Sequence, residues 1–302
     1  MNRPTCGRSS PSRSEASCSG DPGAVHGDPV TKSGLPVGDL PEHGAPSVDL
    51  ALPRTVLAVG AHPDDIEFGC GATLAKWAAR GSAVVHAVLT DGSKGTWDPG
   101  ADLPALIEAR KAECRAAASV IDGDRAHPVA ERVHFFGYPD GELDTGPAAR
   151  RALTAVIRDV APDVVLGHDP WRRYRLHPDH RAAGFLTVDA IVAARDPHFF
   201  PDLGRPPHRP GALLLFEPDV PNHVETVTAY AQVKIAALLC HASQQGTTMG
   251  ILASGDAGSG STGTARRREI DDFAQRIHRQ LASHGGLAGV DAGEAFHLID
   301  AL

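Results

Sequence analysis

Residues 55–65 read Thr-Val-Leu-Ala-Val-Gly-Ala-His-Pro-Asp-Asp, and the fold prediction starts from this stretch. Its first six residues form an apolar run that is typical of a strand buried in a parallel sheet. The chain leaves this run with His62, Asp64 and Asp65. Because α/β sheets carry their chemistry at the carboxyl ends of the strands, we expect a functional edge here.

A second stretch of the same kind follows later in the chain. The apolar run Val164–Leu166 precedes His177-Pro178-Asp179-His180. Two strand ends of one parallel sheet can face each other across a cleft. Histidines and an aspartate around one point predict a metal site with open coordination positions.

Apolar runs alternate with amphipathic segments along most of the chain. This alternation predicts an α/β fold with a Rossmann-like, doubly wound, mostly parallel sheet and helices on both faces. The predicted strands are Thr55–Gly60, Val84–Leu89, Val133–Phe136, Val164–Leu166 and Ala212–Phe216. The predicted helices are Phe68–Trp77, Pro104–Val120, Pro147–Val160, His177–Ala194, Val227–Cys240 and Arg266–Ser283.

Composition divides the chain into a tail and one domain. Residues 1–49 are rich in Ser, Gly, Pro and Asp and poor in aliphatic residues, so we predict a disordered N-terminal tail. Residues 50–302 are predicted to form a single domain. Within it, the Gly/Ser-rich stretch Ser254–Gly263 is expected to be a mobile loop.

Charge and cysteine content exclude several classes of protein. The net charge of -8 would repel a phosphate backbone, so we expect no nucleic-acid partner. We find no apolar run long enough to span a bilayer. Five cysteines without paired spacing argue against a disulfide framework, so we expect a cytoplasmic protein. The oligomeric state stays open, a homo-oligomer included.

Three residues are the candidate metal ligands. His62 and Asp65 lie three positions apart, so one turn of backbone can present both to a cation, and His180 can supply the third donor. Imidazole nitrogen and carboxylate oxygen suit Zn²⁺, and two histidines with one carboxylate also suit Fe²⁺. The alternative is a surface loop with solvated acids and unrelated histidines.

Three neighbours of these ligands are candidate catalytic residues. Asp64 could take a proton as a general base, or it could cap a helix. His177 could stabilise an oxyanion or donate a proton to a leaving amine. Asp179 could orient an imidazole by accepting its N–H, or it could compensate the dipole at a helix start.

Other motifs are weaker or missing. From the residues alone, Arg110 and Glu113 are expected to form a surface ion pair. No Gly-x-Gly-x-x-Gly follows the first strand, so a dinucleotide cofactor is unsupported. No Gly-x-Ser-x-Gly elbow supports a serine hydrolase.

The two stretches together resemble the signature motifs of the PIG-L/LmbE de-N-acetylase superfamily, over about residues 54–245. The supporting motifs are Thr90-Asp91-Gly92, Arg110-x-x-Glu113, Tyr138-x-Asp140-Gly141-Glu142-Leu143, and Lys234 through His241-x-Ser243-Gln244. The resemblance implies that residues 50–302 are one deacetylase domain. It also implies a zinc-dependent hydrolase that removes acetyl from an N-acetylglucosamine-type substrate, either a glycoside or a natural-product intermediate.

The resemblance also assigns roles to residues. It implies that His62, Asp65 and His180 bind the metal. Asp64 is then the base, and His177 is the electrostatic or acid partner. Asp179 supports a histidine, and Arg110 shapes the substrate site near the metal loop.

The chain departs from some relatives beside the second motif. Arg175 stands where thiol-pathway members carry a Tyr, and Arg172 and Arg173 lie near it. This basic lip could suit an anionic or polyhydroxylated substrate, and a solvated loop is an equally good interpretation. Three other functions stay open: a non-catalytic metal- or sugar-binding relative, a hydrolase of a different N-acyl group, and an Fe²⁺ enzyme of oxygen chemistry.

Overall fold

The computed structural model describes residues 44–123, 132–252 and 260–302. These residues belong to one structural unit, residues 43–302, whereas the unit Met1–Glu42 lies outside the described residues. The predicted disordered tail therefore falls almost wholly outside them, as do residues 253–259 of the predicted mobile loop. Ser47–Val48, which we assigned to the tail, forms a short strand of the sheet.

The elements follow one another along the chain in a largely alternating order. They are β1 (Ser47–Val48), β2 (Thr55–Gly60), α1 (Asp65–Ala79), β3 (Ala83–Thr90), α2 (Leu103–Asp122), β4 (Val133–Tyr138), α3 (Pro147–Val160), β5 (Val164–His168), α4 (Pro178–Arg195), β6 (Ala212–Phe216), β7 (His223–Thr226), α5 (Ala231–Leu239), α6 (Gly260–Gly286) and β8 (Gly293–Ile299).

The strands form one sheet of eight in the order β1-β7-β8-β6-β5-β2-β3-β4. Every neighbouring pair is parallel except the two pairs that β8 makes with β6 and β7. The predicted doubly wound, mostly parallel sheet is confirmed. No helix in the described ranges is both long enough and apolar enough to cross a membrane.

Helices cover both faces of the sheet, which explains the apolar run of β2. Val56 and Ala58 pack in the cluster formed with α1 and α2, while Leu57 and Val59 pack in the cluster formed with α3 and α4. All four side chains are fully buried. Because β2 and β5 are parallel neighbours, the loops that follow them open at the same edge of the sheet.

The strands β1, β7 and β8 were not predicted from the sequence. β7 and β8 carry Glu225 and Glu294, which are buried and interrupt the apolar pattern that we used to find strands. Each acid is neutralised from another element: Glu225 by Lys76 and Glu294 by Lys234. A strand that buries a paired carboxylate does not look like a strand when its own residues are considered alone.

Several helix boundaries also differ from the prediction, most of all the starts of α5 and α6. A 3₁₀ turn occupies Thr228–Tyr230, so α5 begins at Ala231 and not at Val227. α6 begins at Gly260, and it therefore includes the last residues of the segment predicted as a loop.

The ion pair between Lys234 and Glu294 stabilises a kink in α1. The backbone of Cys70 is non-helical there (φ -149°), which frees donors and acceptors on both sides. The Glu294 carboxylate accepts the N–H groups of Ala72 and Thr73 at 3.2 and 2.7 Å. Lys234 Nζ donates to the Phe68 carbonyl and to Glu294, both at 2.6 Å. The buried pair thus supplies hydrogen-bond partners to backbone groups on both sides of the kink.

Breaking this pair should cost stability. Lys234→Met leaves the Glu294 carboxylate buried without its cation, and we expect a loss of about 3–5 kcal/mol in the free energy of unfolding. Denaturant unfolding followed by circular dichroism measures the change. The double variant Lys234→Met/Glu294→Gln should recover part of the loss, since no buried charge remains.

The exposed ion pair between Arg173 and Asp219 provides the control. Arg173→Gln should unfold at nearly the wild-type denaturant concentration. A Lys234→Met variant that also unfolds there would show that the buried pair does not stabilise the kink.

Candidate metal centre

The loop between β2 and α1 is folded back on itself by hydrogen bonds. Asp65 Oδ2 accepts the backbone N–H of His62 at 2.7 Å, and the N–H of Phe68 donates to the Asp64 carbonyl at 3.1 Å. Asp64 has φ 139°, a backbone angle that L-residues rarely adopt. Such strain costs of order 1–3 kcal/mol and is concentrated at functional sites.

The structure brings the three predicted metal ligands together. His62 Nδ1 lies 3.2 Å from His180 Nε2 and 3.2 Å from Asp65 Oδ2. Asp65 Oδ1 lies 3.2 Å from His180 Nε2. Donors about 2.1 Å from a tetrahedral Zn²⁺ are separated by about 3.4 Å. The two distances to Asp65 are to different oxygens, Oδ2 for His62 and Oδ1 for His180, and side chains at this spacing could hold one zinc ion and leave a coordination position open.

Asp179 and Asp140 hold the ring of His62 from its other side. His62 Nε2 lies 3.1 Å from Asp179 Oδ2 and 3.2 Å from Asp140 Oδ1. A carboxylate accepts only, so Nε2 carries a proton, and a metal at this site would bind through the lone pair of Nδ1. Asp179 also accepts the N–H groups of Gly141 and Leu143. Burial raises the pKa of Asp179, but His62 and these N–H groups outweigh it and keep that pKa below its usual value.

His168 is a site residue that sequence analysis missed. It is the last residue of β5, and its Nε2 lies 3.1 Å from Asp65 Oδ2. Its ring also stacks on His180, with 4.4 Å between the ring centroids. A signal was available, because we ended the predicted strand at Leu166. Extending it by two residues would have placed His168 at the functional edge.

The predicted basic lip is wrong for Arg175. Its side chain is buried, and it contacts Glu217 Oε2 at 3.1 Å and His168 Nδ1 at 2.9 Å. Arg172 and Arg173 are exposed, and they pair with Glu217 and Asp219 at 3.5 Å. The loop conformation, which composition does not reveal, turns Arg175 inward.

His177 lies at the start of α4 and lines the cavity beside the three donors. Its Nδ1 accepts the N–H of Asp179 at 3.3 Å, so a neutral ring presents Nε2–H as its donor. Burial, together with the nearby imidazoles of His62 and His180, lowers the pKa of His177. A neutral donor suits hydrogen bonding to an oxyanion.

Asp64 occupies the N-cap position of α1, yet its side chain makes no capping hydrogen bond. The carboxylate is buried and lines the cavity instead. Burial raises its pKa to about 6, and the Arg110 guanidinium opposes this rise. Of the two roles considered for Asp64, the geometry favours a carboxylate that faces a substrate.

Arg110 binds two loops of the site. Its Nη1 donates to the Gly92 carbonyl at 2.7 Å, and its Nη2 donates to the Pro63 carbonyl at 2.9 Å and lies 3.4 Å from Asp64 Oδ1. A Cβ at Gly92, where φ is +67°, would lie 2.5 Å from Arg110, so glycine is required for this approach. The expected ion pair with Glu113 is wrong, because Glu113 accepts from the N–H and hydroxyl of Ser243.

The late polar motif also reaches the site. From composition alone we gave His241 and Gln244 no function. Gln244 lines the cavity and donates to the Gly95 carbonyl at 3.1 Å. His241 is fully buried, with its Nε2 3.3 Å from Glu67 Oε2.

These side chains line a cavity of about 540 Å³ at the carboxyl edge of the sheet. Such a volume lies within the range of small-molecule sites in proteins. Trp97 lies in the lining and is 86% exposed, so its indole has little protein packed against it.

Comparison with known proteins identifies relatives of the chain. The family described as PIG-L, GlcNAc-PI de-N-acetylase, matches residues 57–191. A diacetylchitobiose deacetylase of Thermococcus kodakarensis is 34% identical over 194 residues, which are 63% of this chain and 70% of that protein.

Two further comparisons extend this result. A 1D-myo-inositol 2-acetamido-2-deoxy-alpha-D-glucopyranoside deacetylase of Streptomyces avermitilis is 33% identical over 175 residues, 51% of this chain and 58% of the relative. The chain thus spans little more than half of that relative. The structure of an N,N'-diacetylchitobiose deacetylase from Pyrococcus horikoshii matches with a TM-score of 0.68 and 26% identity, over 82% of this chain and 84% of that one.

Proposed function

The chain belongs to the PIG-L family of de-N-acetylases, and from this premise we propose that it is a zinc-dependent hydrolase. Its substrate is an N-acetylglucosamine-type glycoside, and its products are acetate and a free amine. The observation that carries the proposal is that His62 Nδ1 and His180 Nε2 lie 3.2 Å apart and that each lies 3.2 Å from an oxygen of Asp65. The buried carboxylate of Asp64 adjoins them and lines the same cavity.

Zinc at these donors would lower the pKa of a water molecule and polarise the acetyl carbonyl. Asp64 accepts a proton from the attacking water as the oxygen bonds to the carbonyl carbon. The C–N bond then breaks as the proton held on Asp64 passes to the departing nitrogen, and acetate remains. Arg110, 3.4 Å from Asp64 Oδ1, fixes the direction of this carboxylate.

His177 supports the same reaction from the opposite loop. Its neutral ring offers Nε2–H as a donor on the cavity side of the metal donors. Hydrogen bonding to the oxygen that becomes negative stabilises the tetrahedral state more than the ground state. Asp179 keeps the ring of His62 in its metal-binding tautomer, and it acts through that ring without touching substrate.

The substrate is a two-ring glycoside. The names of the relatives specify an acetamido sugar joined to a second ring, either a second sugar or an inositol. The cavity volume of about 540 Å³ is consistent with this size. We propose that the second ring stacks its apolar face on the exposed indole of Trp97.

Replacing the proposed base should lower turnover without removing the metal. Asp64→Asn has the size of the native residue and leaves all three donors in place. We expect one zinc per chain and a fall in kcat of about 10²–10⁴-fold. Acetate release from diacetylchitobiose and from an inositol glycoside of N-acetylglucosamine measures turnover, and elemental analysis measures the zinc content.

The controls distinguish the proposal from its alternatives. Wild-type protein stripped by a chelator should lose acetate release and regain it with zinc, in air and under nitrogen alike. A requirement for oxygen would indicate Fe²⁺ chemistry. Bound zinc without acetate release would indicate a non-catalytic relative, unless longer N-acyl groups are cleaved. Wild-type kcat in Asp64→Asn would refute the base assignment.

The proposed stacking of the second ring on Trp97 can be tested separately. Trp97→Ala should lower kcat/KM for the disaccharide about 10-fold, because burying part of an aromatic ring contributes roughly 1.5 kcal/mol or more. Cleavage of N-acetylglucosamine itself should change little, since it has no second ring. The kinetic constants of both substrates measure this difference.

Trp171→Ala is the matched control, because Trp171 is 56% exposed and packs on Phe185 away from this cavity. It should leave both substrates unaffected. An equal loss on one-ring and two-ring substrates in Trp97→Ala would place the indole against the acetamido sugar instead.

A further inference from the structure

We propose that Arg175 and His168 are positioning residues that hold Asp65 in its metal-binding orientation. This inference rests on the proposed zinc site, and it adds two residues that lie outside both histidine motifs. Such a role requires an unbroken series of hydrogen bonds from the guanidinium of Arg175 to the carboxylate of Asp65, and the structure contains this series.

The series runs through the interior of the protein. Arg175 Nη1 lies 2.9 Å from His168 Nδ1, and His168 Nε2 lies 3.1 Å from Asp65 Oδ2. The exposed fractions of Arg175 and His168 are 7% and 1%. Bulk water therefore does not compete freely for these bonds, and each group depends on its protein partner.

The guanidinium determines the direction of every bond in the series. Arginine has donors and no acceptor, so Nδ1 of His168 must be the unprotonated nitrogen. The ring proton then lies on Nε2, from which it is donated to Asp65 at 3.1 Å, and the backbone N–H of Ala61, 3.4 Å from the same Nε2, is the longer contact and finds no lone pair there. A flipped or doubly protonated ring would lose the bond to Arg175, so the arginine selects the tautomer that Asp65 requires.

Both carboxylate oxygens of Asp65 are held by neighbouring groups. Oδ2 accepts from His168 Nε2 and from the backbone N–H of His62. Oδ1 lies 3.2 Å from His180 Nε2, and Oδ2 also lies 3.2 Å from His62 Nδ1, so each oxygen faces one of the other two proposed donors. Rotation of the carboxylate would break two hydrogen bonds at once, so the donor geometry is set before a metal arrives.

His168 contacts a second ligand as well. Its ring stacks on that of His180 with 16° between the planes, and His177 stacks on the opposite side of His180 at 4.7 Å. His168 therefore restrains two of the three donors, one by a hydrogen bond and one by packing.

The conformation of the loop around Arg175 keeps its side chain inside the protein. Its neighbours Tyr174 and Leu176 are 91% and 88% exposed, and Tyr174 has a left-handed φ of 57°. Arg175 Nη1 lies 3.1 Å from Glu217 Oε2, and its Nη2 donates to the Glu217 carbonyl at 3.2 Å. The large side chains of Tyr174 and Leu176 thus remain in solvent, while the charged side chain of Arg175 between them is buried.

Zinc affinity is the property that tests the proposal. Arg175→Met removes the donor that selects the tautomer, and His168→Phe keeps a ring against His180 while removing the N–H. Each should raise the Kd for zinc by about 10–100-fold in competition with a chelator of known affinity. His168→Gln, whose amide can donate to Asp65, should recover part of the affinity.

Arg172→Gln is the matched control, because Arg172 lies in the same loop and pairs with the same Glu217 without contacting His168. It should bind zinc as the wild type does. Thermal unfolding of the metal-free proteins sets a temperature at which every variant is folded. Wild-type zinc affinity in Arg175→Met and His168→Phe at that temperature would overturn the proposal, even if both variants were less stable.

Turnover at saturating zinc separates this inference from the proposed function. The positioning variants should regain much of the wild-type kcat when zinc is in excess. A protein that binds zinc with this pattern of affinities and releases no acetate would refute the deacetylase and leave the positioning role intact.

Discussion

The structure of the site depends on offsetting the repulsion among the carboxylates that surround the imidazole of His62. Oxygens of Asp65, Asp140 and Asp179 all lie within 3.2 Å of the ring nitrogens of His62, and Asp64 adjoins Asp65. Four buried carboxylates at this density repel one another in a medium of low dielectric constant. The partners that offset this repulsion come from separate elements, and they are Arg110 on α2, His168 at the end of β5 and the backbone N–H groups that follow β4. A divalent cation at the three donors would balance the charge that these partners leave.

The ligands could be predicted because each is fixed by local geometry. His62 and Asp65 are one turn apart, and His180 follows a neighbouring strand, so the period of the backbone and the strand order are enough to bring them together. Arg175 could not be predicted in the same way. Its burial depends on a left-handed residue and on Glu217, which lies 42 positions further along the chain. The roles of Asp140 and Gln244 likewise depend on where their loops are folded, which composition does not specify.

The same distinction applies to the fold. β2, β3, β5 and β6 were found from their apolar character, which reflects burial on both faces of the sheet. β4 was found from the same character, although it is an edge strand whose residues are mostly half-buried. β7 and β8 escaped this criterion because burial there is achieved by pairing charges. The partners of Glu225 and Glu294 are 149 and 60 positions away, so no window of sequence contains both members of a pair.

The capping of α1 by Glu294 also has a consequence for the order of assembly. The N–H of Ala72 and the carboxylate that receives it are 222 positions apart. At roughly 5–20 residues per second, a ribosome needs on the order of 10–45 s to add the intervening chain. Throughout that interval the helix that carries Asp65 lacks the partner that completes its kink. A metal ion captured by the nascent chain during this interval would therefore bind before α1 has its final form.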